Sequence, residues 1–236
     1  MKAMILAAGR GERMRPLTDT IPKPLLQIAG KSLIEYHIEA LVKAGINELV
    51  INHAWLGEKI EAQLGDGAKL GAKIQYSREG QALETAGGIK NALHLLGDKP
   101  FIVVNADVFT DYPFGQLKAA AEHLVKSEIA TSEMAHLVLV DNPEHNHRGD
   151  FYCHKNKVID PLSGEQKGEQ KHEHAYTFSG IACYAPAFFY AMKAGKQALA
   201  PMLRTAMAKQ QVSGEIYKGA WCDIGTPERL AELNKS

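Results

Sequence analysis

At 236 residues with 27 basic and 27 acidic side chains, the chain is long enough for one large α/β domain and carries no excess charge. That balance argues against nucleic acid or an anionic membrane as partner, since both would draw on a basic surplus. Cys153, Cys183 and Cys222 lie far apart with no Cys-x-x-Cys pair, and the apolar run over residues 4–8 is too short for a signal-peptide core or a membrane span, so a reduced cytoplasmic setting is expected.

The predicted elements begin with a short buried strand, Met4 to Leu6, that feeds a glycine-containing basic loop ending at Pro22-Lys23-Pro24. Gly9 and Gly11 let the backbone approach a ligand, and Arg10, Arg13, Arg15 and Lys23 supply cations, a composition suited to phosphates or, more plainly, to a solvated surface loop. Two familiar phosphate loops fail on spacing. A dinucleotide fingerprint needs a third glycine and an immediate helix where this chain has Pro16, and a P-loop needs Gly-Lys-Ser/Thr where it has Gly11-Glu12-Arg13.

Ile34, Ile38, Leu41 and Val42 then fall at helical spacing, with Gly45 as the stop. A strand over 48–52, a helix over 55–64, a strand over 72–77, a helix over 85–96 and an apolar strand over 100–105 follow. This alternation predicts a mostly parallel sheet flanked by helices, whose ligand sites lie at the carboxyl ends of the strands. The basic loop and Asp107 both sit at such ends.

One more helix, through Phe114, Leu117, Ala121, Leu124 and Val125, precedes a change to a meander-like pattern. Strands are expected over 136–140, 149–154 and 179–184, a mobile loop over 163–174, and short helices over 186–193 and 199–210. A strand over 215–217 leads to Trp221-Cys222-Asp223-Ile224-Gly225-Thr226-Pro227, where Pro227 opens a last helix. No repeat or linker divides the chain, so one domain over 1–236 is expected.

Asp107, a carboxylate ending an apolar strand opposite a cationic loop, is poorly explained by packing and suits a hard cation such as Mg²⁺. Asp223, taken by itself, reads as a turn or N-cap carboxylate ahead of the Thr226-Pro227 helix start. His145, His147, His154, His172 and His174 show no metal-site spacing.

Ala7-Ala8-Gly9, Gly11, Arg13, Pro16-Leu17-Thr18 and Pro22-Lys23-Pro24 resemble, nearly letter for letter, the signature loop of the sugar-1-phosphate nucleotidyltransferases. The form Gly11-Glu12-Arg13-Met14-Arg15 is most similar to the N-acetylmuramate 1-phosphate uridylyltransferases of peptidoglycan recycling. The resemblance implies a Rossmann-like fold, with 1–113 mainly nucleotide-binding and 114–236 a smaller mixed part that binds the sugar phosphate and carries the second metal ligand. It implies UTP and a sugar 1-phosphate as substrates and Mg²⁺ as cofactor, held by Asp107 and Asp223. Arg13 would neutralise the triphosphate, and Lys23 would bridge the α-phosphate and the attacking phosphate. Ala8, Gly9, Gly11, Asn52, Glu79, Ala82 and Gly87 would hold the nucleotide, and Glu84, Asn142, Ser179 and Gly180 the sugar.

Two departures from the family pattern stand out. Ile159-Asp160-Pro161 replaces the Glu-Lys-Pro of many relatives, which favours the muramate type. Ala106 replaces a usual glycine and would be strained if its φ were positive. Mannose-1-phosphate guanylyltransferase, glucose-1-phosphate thymidylyltransferase and a non-catalytic nucleotide-sugar-binding module are the alternatives. A monomer is expected, because no β-helix extension of the kind carried by oligomeric relatives is present.

Overall fold

A computed structural model describes residues 1–125, 133–162 and 174–235. Apart from His174, the expected loop over 163–174, with His172, lies outside the described residues. In chain order the first half contains β1 (Lys2–Leu6), α1 (Leu17–Thr20), β2 (Gln27–Ile28), β3 (Lys31–Ser32), α2 (Leu33–Lys43), β4 (Glu48–His53), α3 (Gly57–Leu64), β5 (Lys73–Arg78), α4 (Glu84–Leu96), β6 (Phe101–Asn105), β7 (Val108–Thr110) and α5 (Gln116–Val125). The second half contains β8 (Ala135–Val140), β9 (Tyr152–His154), β10 (Lys157–Ile159), β11 (Thr177–Tyr184), α6 (Ala200–Ala208), β12 (Val212–Tyr217), β13 (Trp221–Asp223) and α7 (Pro227–Leu233).

Among the described residues nine strands form one sheet in the order β5-β4-β1-β6-β11-β8-β12-β10-β9. The first four run parallel, as their near-continuous apolar runs require when helices cover both faces. Beyond β6 the sheet is mixed: β11 is antiparallel to both β6 and β8, while β12 is parallel to β8. The second half is therefore an extension of the same sheet, hydrogen-bonded to the first through β6 and β11, and not the simple meander its pattern suggested.

Alternation along β1 assigns its two faces. Ala3 and Ile5 pack with Ile34, Ile38 and Leu41 of α2 and Leu117 of α5. Met4 packs with Ile89 of α4 and Leu203 of α6 on the other side. The chain leaves β1 toward β4 on one side and returns to β6 on the other, so the gap between the carboxyl ends of β1 and β6 is a topological switch point. A third cluster, Met14, Leu26, Ile28, Leu33, Ile224 and Leu230, fastens the first loop to the C-terminal segment.

Several element ends differ from the sequence pattern for local reasons. Helix α3 starts at Gly57, not at residue 55, because Leu56 is left-handed at φ 50°. The segment after Ala185 makes only a 3-10 turn, Pro186–Phe189. Strand β9 begins at Tyr152, preceded by a single bridge between Phe151 and Tyr176. Among the described residues no helix is long and apolar enough to cross a membrane.

Candidate active site

The loop after β1 is folded by its own cations. Arg10 donates to the Thr18 carbonyl at 2.7 Å and to Asp19 at 2.9 Å, and its guanidinium lies 3.7 Å over the Trp55 ring. The Trp55 indole donates to the same carbonyl. Arg15 pairs with Asp19 at 2.8 Å, and the two arginines together hold the Asp19 carboxyl below its ordinary range, the Arg10 hydrogen bond contributing most. Gly11 is left-handed, and a Cβ there would sit 3.0 Å from Thr18 Cγ2, so the turn requires glycine. Two of the four loop cations are thus spent on the loop itself. Arg13 is exposed and, among the described residues, has no carboxylate within 4 Å. Lys23 is buried, with Nζ 2.5 Å from Asp107 Oδ2.

At the switch point an open cleft with about 680 Å³ of empty space is lined by Ala8, Gly9, Lys23, Asn52, Ala82 and Asp107, among others. Its shape depends on Asn52, whose Oδ1 accepts from Ala7 N–H and whose Nδ2 donates to Glu79 at 2.6 Å. The other Glu79 oxygen accepts from Leu83 N–H. Both side chains are therefore engaged in bracing the turn that presents Ala82. A Cβ on Gly88 would strike this pair, at 2.6 Å from Glu79 and 2.8 Å from Asn52. Gly87 instead packs on the Gly195 carbonyl, and its N–H bonds the Gln197 carbonyl.

A larger cavity, about 1110 Å³, adjoins the cleft and shares Glu84, Thr85 and Asn105 with it. Glu84 holds φ 60° at the start of α4, an unfavourable backbone region for a side chain with a Cβ, in the wall between the two cavities. Asp150, Phe151, Phe178 and Arg204 complete the cavity wall. Arg204 ion-pairs with Asp160 and lies 5.6 Å over the Phe151 ring. The Asp160 that replaces a family lysine is thus the partner of a cavity arginine.

Asn142, Ser179 and Gly180 lie outside the linings of both cavities. Asn142 ties Ala175 and Thr177 together. Ser179 is buried and bonds the Val138 carbonyl, within a bulge between Phe178 and Ile181. Gly180, at φ 79°, would place a Cβ 2.6 Å from Asn105 Nδ2. The bulge therefore sets the position of Asn105, which does face both cavities.

The backbone segments that carry Asp107 and Asp223 are joined by a pairing the sequence pattern did not reveal. Strand β13 lies antiparallel to β7 with Asp223 opposite Val108, and Ile224 N–H bonds the Asp107 carbonyl at 2.8 Å. From below, His37 donates through Nε2 to the Val108 carbonyl; burial pulls its pKa down to about 4, so the ring is neutral. Asp223 is paired with Arg229, at 2.9 and 2.8 Å, and its Oδ1 lies 3.0 Å from His145 Nε2. Ala106 is not among the residues with positive φ; its N–H bonds the Leu6 carbonyl, so the alanine carries no left-handed strain. Among the described residues no three His, Cys, Asp or Glu side chains cluster as a metal cage. Asp107 lines the cleft and Asp223 lies on the strand paired beside it, a set that suits Mg²⁺, which takes one or two carboxylates and fills its shell with water and phosphate oxygens.

Sequence patterns gave no sign of Arg204, Arg229, Asn105, His37 or the Arg10–Trp55 clamp, since each acquires its neighbours only through tertiary contacts. The nucleotidyl transferase family model matches residues 2–236. An N-acetylmuramate alpha-1-phosphate uridylyltransferase of Neisseria meningitidis serogroup B is 51% identical over 98% of this chain and 96% of its own length. A mannose-1-phosphate guanylyltransferase catalytic subunit beta of Xenopus tropicalis is 30% identical over 97% of this chain, which spans 62% of that relative. In fold, the chain superposes at a TM-score of 0.82 and 20% identity on a Bacillus anthracis crystal structure described as a glucose-1-phosphate thymidylyltransferase, covering 100% of this chain and 94% of the other. With the glycine loop, the paired acids and the switch-point cleft in one sheet, the chain belongs to the nucleotidyl transferase family, as a sugar-1-phosphate nucleotidyltransferase.

Proposed function

We propose that the chain transfers UMP from UTP to N-acetylmuramate 1-phosphate, giving UDP-N-acetylmuramate and pyrophosphate, a reaction that would serve cell-wall recycling. The 51% identity with the meningococcal uridylyltransferase supports the choice. The observation that carries it is Arg204 in the wall of the larger cavity. Muramate differs from other N-acetylhexosamines by a lactyl ether carboxylate, and a guanidinium is the side chain suited to hold a carboxylate in two-point contact.

In this reading UTP lies along the first loop with its base against the turn at Ala82, and backbone groups of Ala8, Gly9 and Gly11 cradle its phosphates. An oxygen of the sugar phosphate attacks the α-phosphorus in line. The new P–O bond forms as the bond to the β-phosphate bridging oxygen breaks, and pyrophosphate leaves with that electron pair. Such transfers depend on positioning and charge neutralisation more than on a general base. Lys23 would steady both the α-phosphate and the attacking phosphate, and Arg13 the departing pyrophosphate. Asp107 and Asp223 would hold Mg²⁺, which supplies neutralisation of charge on the phosphate oxygens when bound.

The test is pyrophosphate release from each of UTP, GTP and dTTP with a panel of sugar 1-phosphates. Turnover should be highest for UTP with N-acetylmuramate 1-phosphate. Faster turnover with mannose 1-phosphate and GTP, or with glucose 1-phosphate and dTTP, refutes the assignment. Nucleotide binding without turnover in saturating Mg²⁺ would identify a binding module instead.

A further inference from the structure

Asp107 in the cleft lining and Asp223 on the adjoining strand are each already matched by a cation of the chain: Lys23 on Asp107 and Arg229 on Asp223. Lys23 has a role in the reading above, but Arg229 has none. It reaches back from α7 over Gly225, where a Cβ would lie 2.9 Å from Arg229 Nη1, 3.1 Å from Asp223 Oδ2 and 3.4 Å from Arg13 Nη1. Two guanidinium groups thus converge on the bare backbone of one glycine. The Arg229 side chain is mostly covered, at 23% exposure, and grips both oxygens of Asp223.

We infer that Arg229 is the counter-ion that stands in for the metal on Asp223. When the metal binds, Arg229 turns with Arg13 onto the pyrophosphate end of the substrate, over Gly225. The inference rests on the reading of Asp107 and Asp223 as the metal acids. Charge balance supports it, because a divalent cation carries the same charge as the Lys23 and Arg229 side chains it replaces. The exchange keeps the acids neutralised and frees two cations where the phosphates arrive. Without such a stand-in, the Asp223 carboxylate, only 22% exposed, would keep His145 as its one neighbour among the ion pairs described, which is costly in a site of reduced dielectric. It follows that metal alone competes with an internal cation, whereas metal and phosphate together do not compete, so each favours the other. A plain tether between α7 and β13 would produce no such coupling.

The experiment measures Mn²⁺ binding to the intact protein by electron paramagnetic resonance of the free ion, with no nucleotide or sugar present. Arg229→Gln and Arg229→Met, the second keeping an apolar stem, are expected to bind Mn²⁺ about tenfold more tightly than the unaltered protein. Arg229→Lys, which restores a cation, should return the affinity toward that of the unaltered protein. Affinity for magnesium pyrophosphate should fall about tenfold in Arg229→Gln and Arg229→Met, the loss expected of one charge-assisted hydrogen bond. Unchanged or weaker Mn²⁺ binding in whichever neutral variant folds overturns the inference and leaves Arg229 as a tether. If Asp107→Asn and Asp223→Asn leave Mn²⁺ binding untouched, the metal reading of the two acids fails, and the exchange with it. Neither result depends on which sugar or base is used.

Discussion

Arg204 offers the sharpest test of the proposed sugar. The useful perturbation is Arg204→Leu made together with Asp160→Asn, because the Asp160 side chain is only 10% exposed and would otherwise lose its arginine while keeping its charge. Leucine retains apolar cover over Phe151, so the fold should lose little. A charge-assisted contact to a carboxylate contributes about 1.5–3 kcal/mol, which corresponds to a loss of roughly 10- to 150-fold in kcat/KM for N-acetylmuramate 1-phosphate. N-Acetylglucosamine 1-phosphate lacks the lactyl carboxylate, so its slower turnover should be unchanged. Steady-state pyrophosphate release at varied sugar phosphate and saturating UTP measures both. An equal loss on the two sugars would mean that Arg204 shapes the cavity without reading the acid. No loss on the muramate derivative would remove the observation on which the assignment rests.

Three further outcomes are expected. Lys23→Gln should lower kcat by about 10²- to 10³-fold, as for one fixed electrostatic stabiliser. Thermal stability should change little, because Asp107 is 40% exposed and water can replace the ammonium. Gly180→Ala should destabilise by about 2–4 kcal/mol, since it combines a left-handed alanine with a Cβ 2.6 Å from Asn105, and thermal denaturation should show Tm lower by roughly 5–15 °C. His37 gives a pH signature. Its folded pKa is depressed to about 4, so its contribution is fully present above the unfolded value of 6.5, and it is lost as pH falls from there through 4. Relative to His37→Gln, which does not titrate, the unaltered protein should lose about 3 kcal/mol over that window in urea denaturation. Parallel pH profiles for the two proteins would refute it.

The parallel half of the sheet was legible because its strands are continuous apolar runs and glycines such as Gly45 and Gly65 mark the breaks between elements. The mixed half was not, because β7 and β13 are three residues each and pair with one another far apart in sequence, and β10, equally short, joins β12 through a single residue pair. That gap matters most at the two acids proposed to hold the metal. Asp107 could be suspected from its place after an apolar strand, but its proximity to Asp223 depends on the register of β7 with β13. Ala106 was a similar case: its residue type left the question of strain open, and the sign of φ answered it.

The loop cations show a deeper limit. Composition treats Arg10, Arg13, Arg15 and Lys23 as four equal phosphate ligands, yet Arg10 and Arg15 share one aspartate and Arg10 also covers Trp55. Only side chains from α1 and the segment after β4 make that division, so no spacing rule could have drawn it. The division has a physical reason. A glycine loop proposed to cradle phosphates loses much conformational entropy on ordering, and the clamp on Thr18 and Asp19 holds it with no ligand bound. Arg13, outside the clamp, and Lys23, parked on Asp107, are left as the cations free to change partners. A binding loop therefore needs more charge than its ligand does, and the surplus in this chain is structural.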